Sequence, residues 1–142
     1  MERSGEISQR VHKQTESINE RAPGLLAIYN GFVTTHPGLF AAYIIWDTIH
    51  SHHKMEHSRA YGPFVLKVLP LLAGDIEISH FEITDPVQLK AALEMPVTVT
   101  THIRVQKGRV ADFLEAYEGG IAKYIVSDKI HGRFLGYSYE DP

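Results

Sequence analysis

Two apolar runs separated by a turn constrain this chain most. Residues 25–33, LLAIYNGFV, and residues 39–46, LFAAYIIW, are joined by Thr34-Thr35-His36-Pro37-Gly38, a cluster of the kind that reverses a chain. In the first run Leu25, Ala27, Tyr29 and Val33 share one side, and Leu26, Ile28 and Phe32 share the other. Both sides are largely apolar, so the predicted hairpin is expected to be covered on both faces. His36 reads as a turn residue.

The second run leads directly into residues 46–72, WDTIHSHHKMEHSRAYGPFVLKVLPLL, which hold the single tryptophan and four of the nine histidines. Asp47 or Thr48 can cap a helix that begins after Trp46. At about 100° per residue, Ile49, Glu56 and Ala60 point one way. His52 lies on one edge of that face, and His53, His57 and His50 lie along the other. A helix that only covers a sheet shows a clean apolar stripe. Polar groups turned inward need partners or a ligand. The histidines therefore read either as a solvated face with some hydrogen-bonded edge residues, or as acid, base or donor groups lining a pocket. A third reading is a metal clamp through His53 and His57 at i, i+4. It lacks the further ligands a closed site needs, and no metal is expected. Gly62-Pro63 marks a local break, and a second, almost wholly apolar helix is predicted over residues 63–69.

Composition narrows the class. With 142 residues the chain fits one domain with a sizeable core. A net charge of −3 without a basic cluster argues against nucleic acid. No apolar run is long enough to span a bilayer, and the polar start MERSGEISQR has no signal-peptide core. The absence of cysteine removes disulfides and thiol nucleophiles, and fits a cytoplasmic protein.

The remaining elements follow from periodicity. Residues 6–21 predict a surface helix that ends at Ala22-Pro23-Gly24. Residues 75–83, DIEISHFEI, alternate; His80 continues the Ile76 and Ile78 row, and points either to the strand's solvent end or into a cavity. A helical turn runs from Asp85-Pro86 to Leu93. Residues 97–105, VTVTTHIRV, predict a strand with Val97, Val99, Thr101, Ile103 and Val105 on one face and His102 on the polar, solvent or interface face. Residues 109–124 predict a helix through Val110, Phe113, Leu114, Tyr117 and Ile121. Gly119-Gly120 interrupts it, as a kink or a close approach. A last strand is predicted over residues 132–139. This order is an α+β plan, an antiparallel sheet with helices on one face.

Trp46-Asp47-Thr48-Ile49-His50-Ser51-His52, followed by Met55, Ser58, Tyr61 and Phe64, resembles the W-D-S-x-x-x-H…F…S…Y…F signature of fungal antibiotic-biosynthesis-monooxygenase-like proteins. His80-Phe81-Glu82, Met95-Pro96-Val97-Thr98 and the stretch from Gly132 through Leu135-Gly136-Tyr137-Ser138-Tyr139-Glu140-Asp141 are similar to the same family. The resemblance runs from about residue 25 onward. It implies a ferredoxin-like, dimeric α/β-barrel domain spanning residues 1–142, with sheet-to-sheet homodimers and a pocket between each sheet and its helices. The superfamily includes cofactor-independent oxygenases, polyketide cyclases, decarboxylases, haem-degrading enzymes and stress-response proteins. On that resemblance His52 is the family's helix histidine, and His57 and Tyr61 fall where polyketide cyclases place polar catalytic residues. Members usually open with a strand before the first helix, and longer two-repeat members continue further. The expectation is a shortened second half whose open sheet edge is closed on dimerisation, with strands exchanged.

Two functional expectations result. The first is a cofactor-independent enzyme of secondary metabolism acting on an aromatic or polyketide-like small molecule. The substrate would lie among Tyr29, Tyr43, Trp46, Phe64, Phe81 and Phe113. His52, His57 or His80 would move a proton, with Tyr61 as donor, for cyclisation, pericyclic cyclisation or oxygenation. The second is a non-catalytic ligand-binding or stress-response barrel that keeps the same pocket and leaves the histidines on its surface. Haem held by one histidine lacks an axial-ligand motif.

Overall fold

The computed structural model describes residues 22–121 and 132–140. The helix expected over residues 6–21 and the end of the helix expected over residues 109–124 lie outside the described residues. The fold is α+β. It divides into two compact units, Met1–Ile78 and Ser79–Pro142.

The first unit is built on the hairpin. Strand β1 (Leu25–Phe32) pairs antiparallel with β2 (Phe40–Trp46), and Ile28 faces Ile44, Tyr29 faces Tyr43 and Phe32 faces Phe40. The Phe32 and Phe40 rings meet edge to face at 5.6 Å beside the turn, a cross-strand contact that helps fix register. Within the turn, His36 N–H donates to the Val33 carbonyl and Leu39 N–H to the His36 carbonyl, so His36 is a turn residue. At the other end Asp47 N–H donates to the Gly24 carbonyl at 2.8 Å, just before a register irregularity between Leu25 and Ala27.

Helix α1 (Ile49–Glu56) starts where the strand stops because Thr48 caps it. The Thr48 hydroxyl accepts from Ser51 N–H at 3.1 Å, which satisfies one of the helix's unpaired donors. His53 and Lys54 occupy the last turn, where positive charge suits the helix dipole. Helix α2 spans Tyr61–Val68 and passes into a 3-10 turn, Leu69–Leu71. It begins two residues before the predicted start. Gly62 has no Cβ to clash with the Pro63 ring, so the helix runs through the expected break.

The second unit pairs β3 (Phe81–Ile83) antiparallel with β4 (Gly136–Ser138). Helix α3 (Pro86–Leu93) is capped by Asp85, whose carboxylate accepts from Val87 and Gln88 N–H. Among the described residues it carries the unit's buried apolar side chains, Leu89, Ala92 and Leu93. Gly132 presses against this helix, since a Cβ there would lie 2.6 Å from Ala92 N. Helix α4 (Val110–Ala116) continues as a π turn over Tyr117–Ile121. An added methyl at Gly119 or Gly120 would meet nothing within 4 Å among the described residues. The glycine pair lies within the π turn, a change of helix winding that the sequence did not predict.

Two predicted strands contract. Of residues 75–83 only Phe81–Ile83 enters a ladder, and residues 97–105 form no strand. Thr98 instead donates its hydroxyl to the Ala92 carbonyl at 3.0 Å, and the His102 ring meets Phe81 at 5.3 Å. The polar row therefore makes these contacts, while Val97, Val99 and Ile103 are exposed. His102 is exposed, as expected of the polar face, while the strand itself does not form.

Gly24 has φ +92°, and a Cβ there would lie 2.5 Å from Asp47 Oδ1 and from Ser51. Gly24→Ala is expected to cost about 2 kcal/mol or more, through left-handed backbone and crowding together. Gly119→Ala is expected to be neutral or stabilising by about 0.5–1 kcal/mol. Urea unfolding of the two variants checks the opposite signs.

Candidate functional site

In the first unit the strand-to-helix junction places His52 beside Trp46. The ring centroids are 5.2 Å apart and tilted by 37°. His52 Nε2 lies 3.6 Å from Glu56 Oε1, and the His52 side chain is only 12 % exposed. The His53 ring is 6.0 Å from that of His52. The wheel put these two histidines on opposite edges of a face. Their rings nonetheless approach because the two residues are adjacent in the chain, with Cα atoms about 3.8 Å apart.

His57 takes a different position. It is the C-cap of α1, and both its backbone N–H (3.2 Å) and its ring Nδ1 (2.7 Å) bond to the His53 carbonyl. A carbonyl only accepts, so the ring proton sits on Nδ1. This ring closes the helix end, and the His53/His57 clamp contains one ring engaged with the backbone. Tyr61 is half-buried at the start of α2, its N–H donating to the Ser58 carbonyl at 3.2 Å. The Ser58 hydroxyl is buried, with no hydrogen-bond partner among the described residues. Tyr29, Tyr43, Trp46 and Phe64 are all half-buried, the two tyrosines as register partners across β1 and β2.

The second unit holds His80, Phe81 and Phe113. His80 stands immediately before β3, and Glu140 lies two residues beyond β4. The Glu140 carboxylate accepts from His80 N–H through both oxygens, at 2.9 and 3.1 Å. It also accepts from His80 Nδ1 at 2.5 Å and from the Ser138 hydroxyl at 3.2 Å. Tyr139 N–H returns a bond to the His80 carbonyl at 3.0 Å. Because a carboxylate accepts, the neutral His80 ring carries its proton on Nδ1 and its basic lone pair on Nε2. Phe81 is exposed and carries the His102 ring edge-on, and Phe113 lies 6.0 Å from Tyr117. Phe113 also lines an open depression with Val105, Gln106, Arg109 and Asp112. The Arg109–Asp112 ion pair on its wall makes it a wet place, poorly suited to removing a weakly acidic proton.

Two carboxylates are tuned by these contacts. The hydrogen bond from the His80 side chain, offset in part by desolvation, holds Glu140 below the usual carboxylate range. The Ser51 hydroxyl does the same for Asp47. Both groups favour the charged, hydrogen-bonded form.

Glu56 and Glu140 are the site residues that the sequence reading missed. Glu56 was discoverable as the i+4 neighbour of His52. Glu140 was not, since it lies 60 residues from its partner, and no local pattern links the two. No known protein family matches the chain, and neither does any curated protein or solved structure. The site is read from its own geometry.

Because the Glu140 pKa is lower folded than unfolded, its contribution to the β3–β4 pairing is fully present above the ordinary value of 4.5. It is lost as pH falls through the lowered value. The protection of the His80 and Tyr139 amides, taken as the exchange rate relative to the intrinsic rate at each pH, is expected to fall on acidification below that value. In Glu140→Gln the same protection is expected to be lower at neutral pH and nearly flat across the acid range.

Proposed function

We propose that this chain is an enzyme that moves a proton on an aromatic or polyketide-like small molecule, with His80 as the base and Glu140 as its positioning residue. The observation that carries this reading is the His80–Glu140 pair. A carboxylate that holds Nδ1–H aims the Nε2 lone pair and stabilises the imidazolium formed when it takes a proton. The neighbouring Phe81 and His102 rings offer flat faces to an aromatic substrate. In the first unit, His52, between Trp46 and Glu56, has the same carboxylate-plus-ring surroundings and is the second candidate base. For that second candidate base Tyr61 is the donor, and Tyr29, Tyr43 and Phe64, all of the first unit, are the further aromatic contacts; Phe113 is a further aromatic residue of the second unit.

Removing a proton from a phenol or an activated C–H leaves a delocalised anion. That anion cyclises or meets oxygen according to the substrate's own structure, and the proton transfer itself needs no cofactor. The α+β plan is compatible with a ferredoxin-like, dimeric α/β-barrel domain. Exposed Leu26, Phe32 and Ile44 on the hairpin support a homodimer that covers them. No helix among the described residues is long and apolar enough to cross a membrane; the lack of cysteine supports the cytoplasm as its location. The second reading, a non-catalytic ligand-binding or stress-response barrel, is favoured by His57, whose ring is taken up by the end of α1.

The test incubates the purified chain with a panel of hydroxylated polycyclic aromatics, following oxygen uptake and product mass. Turnover is expected, falling about 10²-fold or more in His80→Ala and less in Glu140→Gln. Full activity in His80→Ala would remove the base, and no turnover across the panel would favour the binding barrel.

A further inference from the structure

Residues 97–105, VTVTTHIRV, are rich in the β-branched residues that favour strands, yet they enter no sheet ladder among the described residues. Thr98 gives its hydroxyl to the Ala92 carbonyl and the His102 ring meets Phe81, which ties these two even-numbered residues to their own unit. The odd-numbered row is left outward: Val99 is 85 % exposed, and Val97 and Ile103 are exposed beside it. A strand-forming segment with an exposed apolar row is a template for another strand. The pattern of this one selects its partner. Counted from Thr101 in either direction, apolar residues stand two and four places away, at Val99 and Val97 and at Ile103 and Val105. A second copy laid antiparallel about Thr101 sets Val97 opposite Val105 and Val99 opposite Ile103. Arg104 then lies opposite Thr98, and His102 opposite Thr100, so no like charges face each other. Glu94 precedes the segment and Lys107 follows it. At each end of the pairing Glu94 of one copy and Lys107 of the other fall together with opposite charge.

We infer that residues 97–105 pair antiparallel with the same residues of a second copy of this chain, about a two-fold axis at Thr101. A two-fold contact joins identical patches and so needs a self-complementary surface, which the row centred on Thr101 supplies. Pro96, which has no N–H to give, and Gly108, at φ +77°, bound the pairing at its ends. The contact lies wholly within the second unit and is distinct from the apolar hairpin face of the first. It is also independent of the proton-transfer reading, because association is measured without turnover.

The chain has no cysteine, so a single Thr101→Cys in the full chain reports on the axis directly. Its two thiols would face each other as cross-strand neighbours, at a separation a disulfide can bridge. Mild oxidation at micromolar protein is expected to give a covalent dimer on non-reducing electrophoresis. Val87→Cys, exposed on α3 of the same unit, is the control. It is expected to cross-link at least about 10-fold more slowly, because its thiols meet only by chance encounter. Adding Val99→Asp to the Thr101→Cys chain is expected to slow its cross-linking about 10-fold or more, with unchanged circular dichroism. Cross-linking of Thr101→Cys no faster than that of Val87→Cys, or unaffected by Val99→Asp, would overturn the assignment. So would cross-linking confined to Leu26→Cys, which reports on the hairpin face instead.

Discussion

The Glu140 carboxylate holds the second unit's short ladder together. Three residue pairs are too few for a two-stranded ribbon to persist alone. Glu140 extends the pairing past its end by taking the His80 backbone N–H, the His80 ring and the Ser138 hydroxyl at once. At the other end Thr84 gives both its N–H and its hydroxyl to the Leu135 carbonyl. The interaction that closes the sheet is thus also the one that orients the candidate base. Structure and chemistry share a single charged group.

The first unit uses the same device. Asp47 sits just past β2, bonds through its backbone to Gly24, and is held charged by Ser51, while Thr48 caps α1. This junction fixes the angle at which the helix leaves the strand, and so places His52 against Trp46. A positive φ and a close approach both fall on Gly24 because the clasp leaves no room for a side chain.

The hairpin and the Thr48 cap were legible in the sequence because their signals are local: apolar alternation, a turn cluster, and a hydroxyl before a helix. The helical histidines were legible too, and spacing alone could have supplied Glu56. The His80–Glu140 pair was not legible, because its partners meet only through the fold. Residues 97–105 failed for a related reason. Their alternation is genuine, but a strand needs a ladder partner, and Thr98 and His102 found other contacts in α3 and Phe81. Helix α2 began early because the proline signal did not weigh the glycine before it.

Glu140 fixes the proton of His80 on Nδ1. Nitrogen-15 correlation spectra of the histidine side chains, recorded at alkaline pH where imidazoles are neutral, test it directly. His80 is expected as the Nδ1–H tautomer, reverting toward the Nε2–H form in Glu140→Ala. A His80 ring already protonated on Nε2 in the unaltered chain would contradict it.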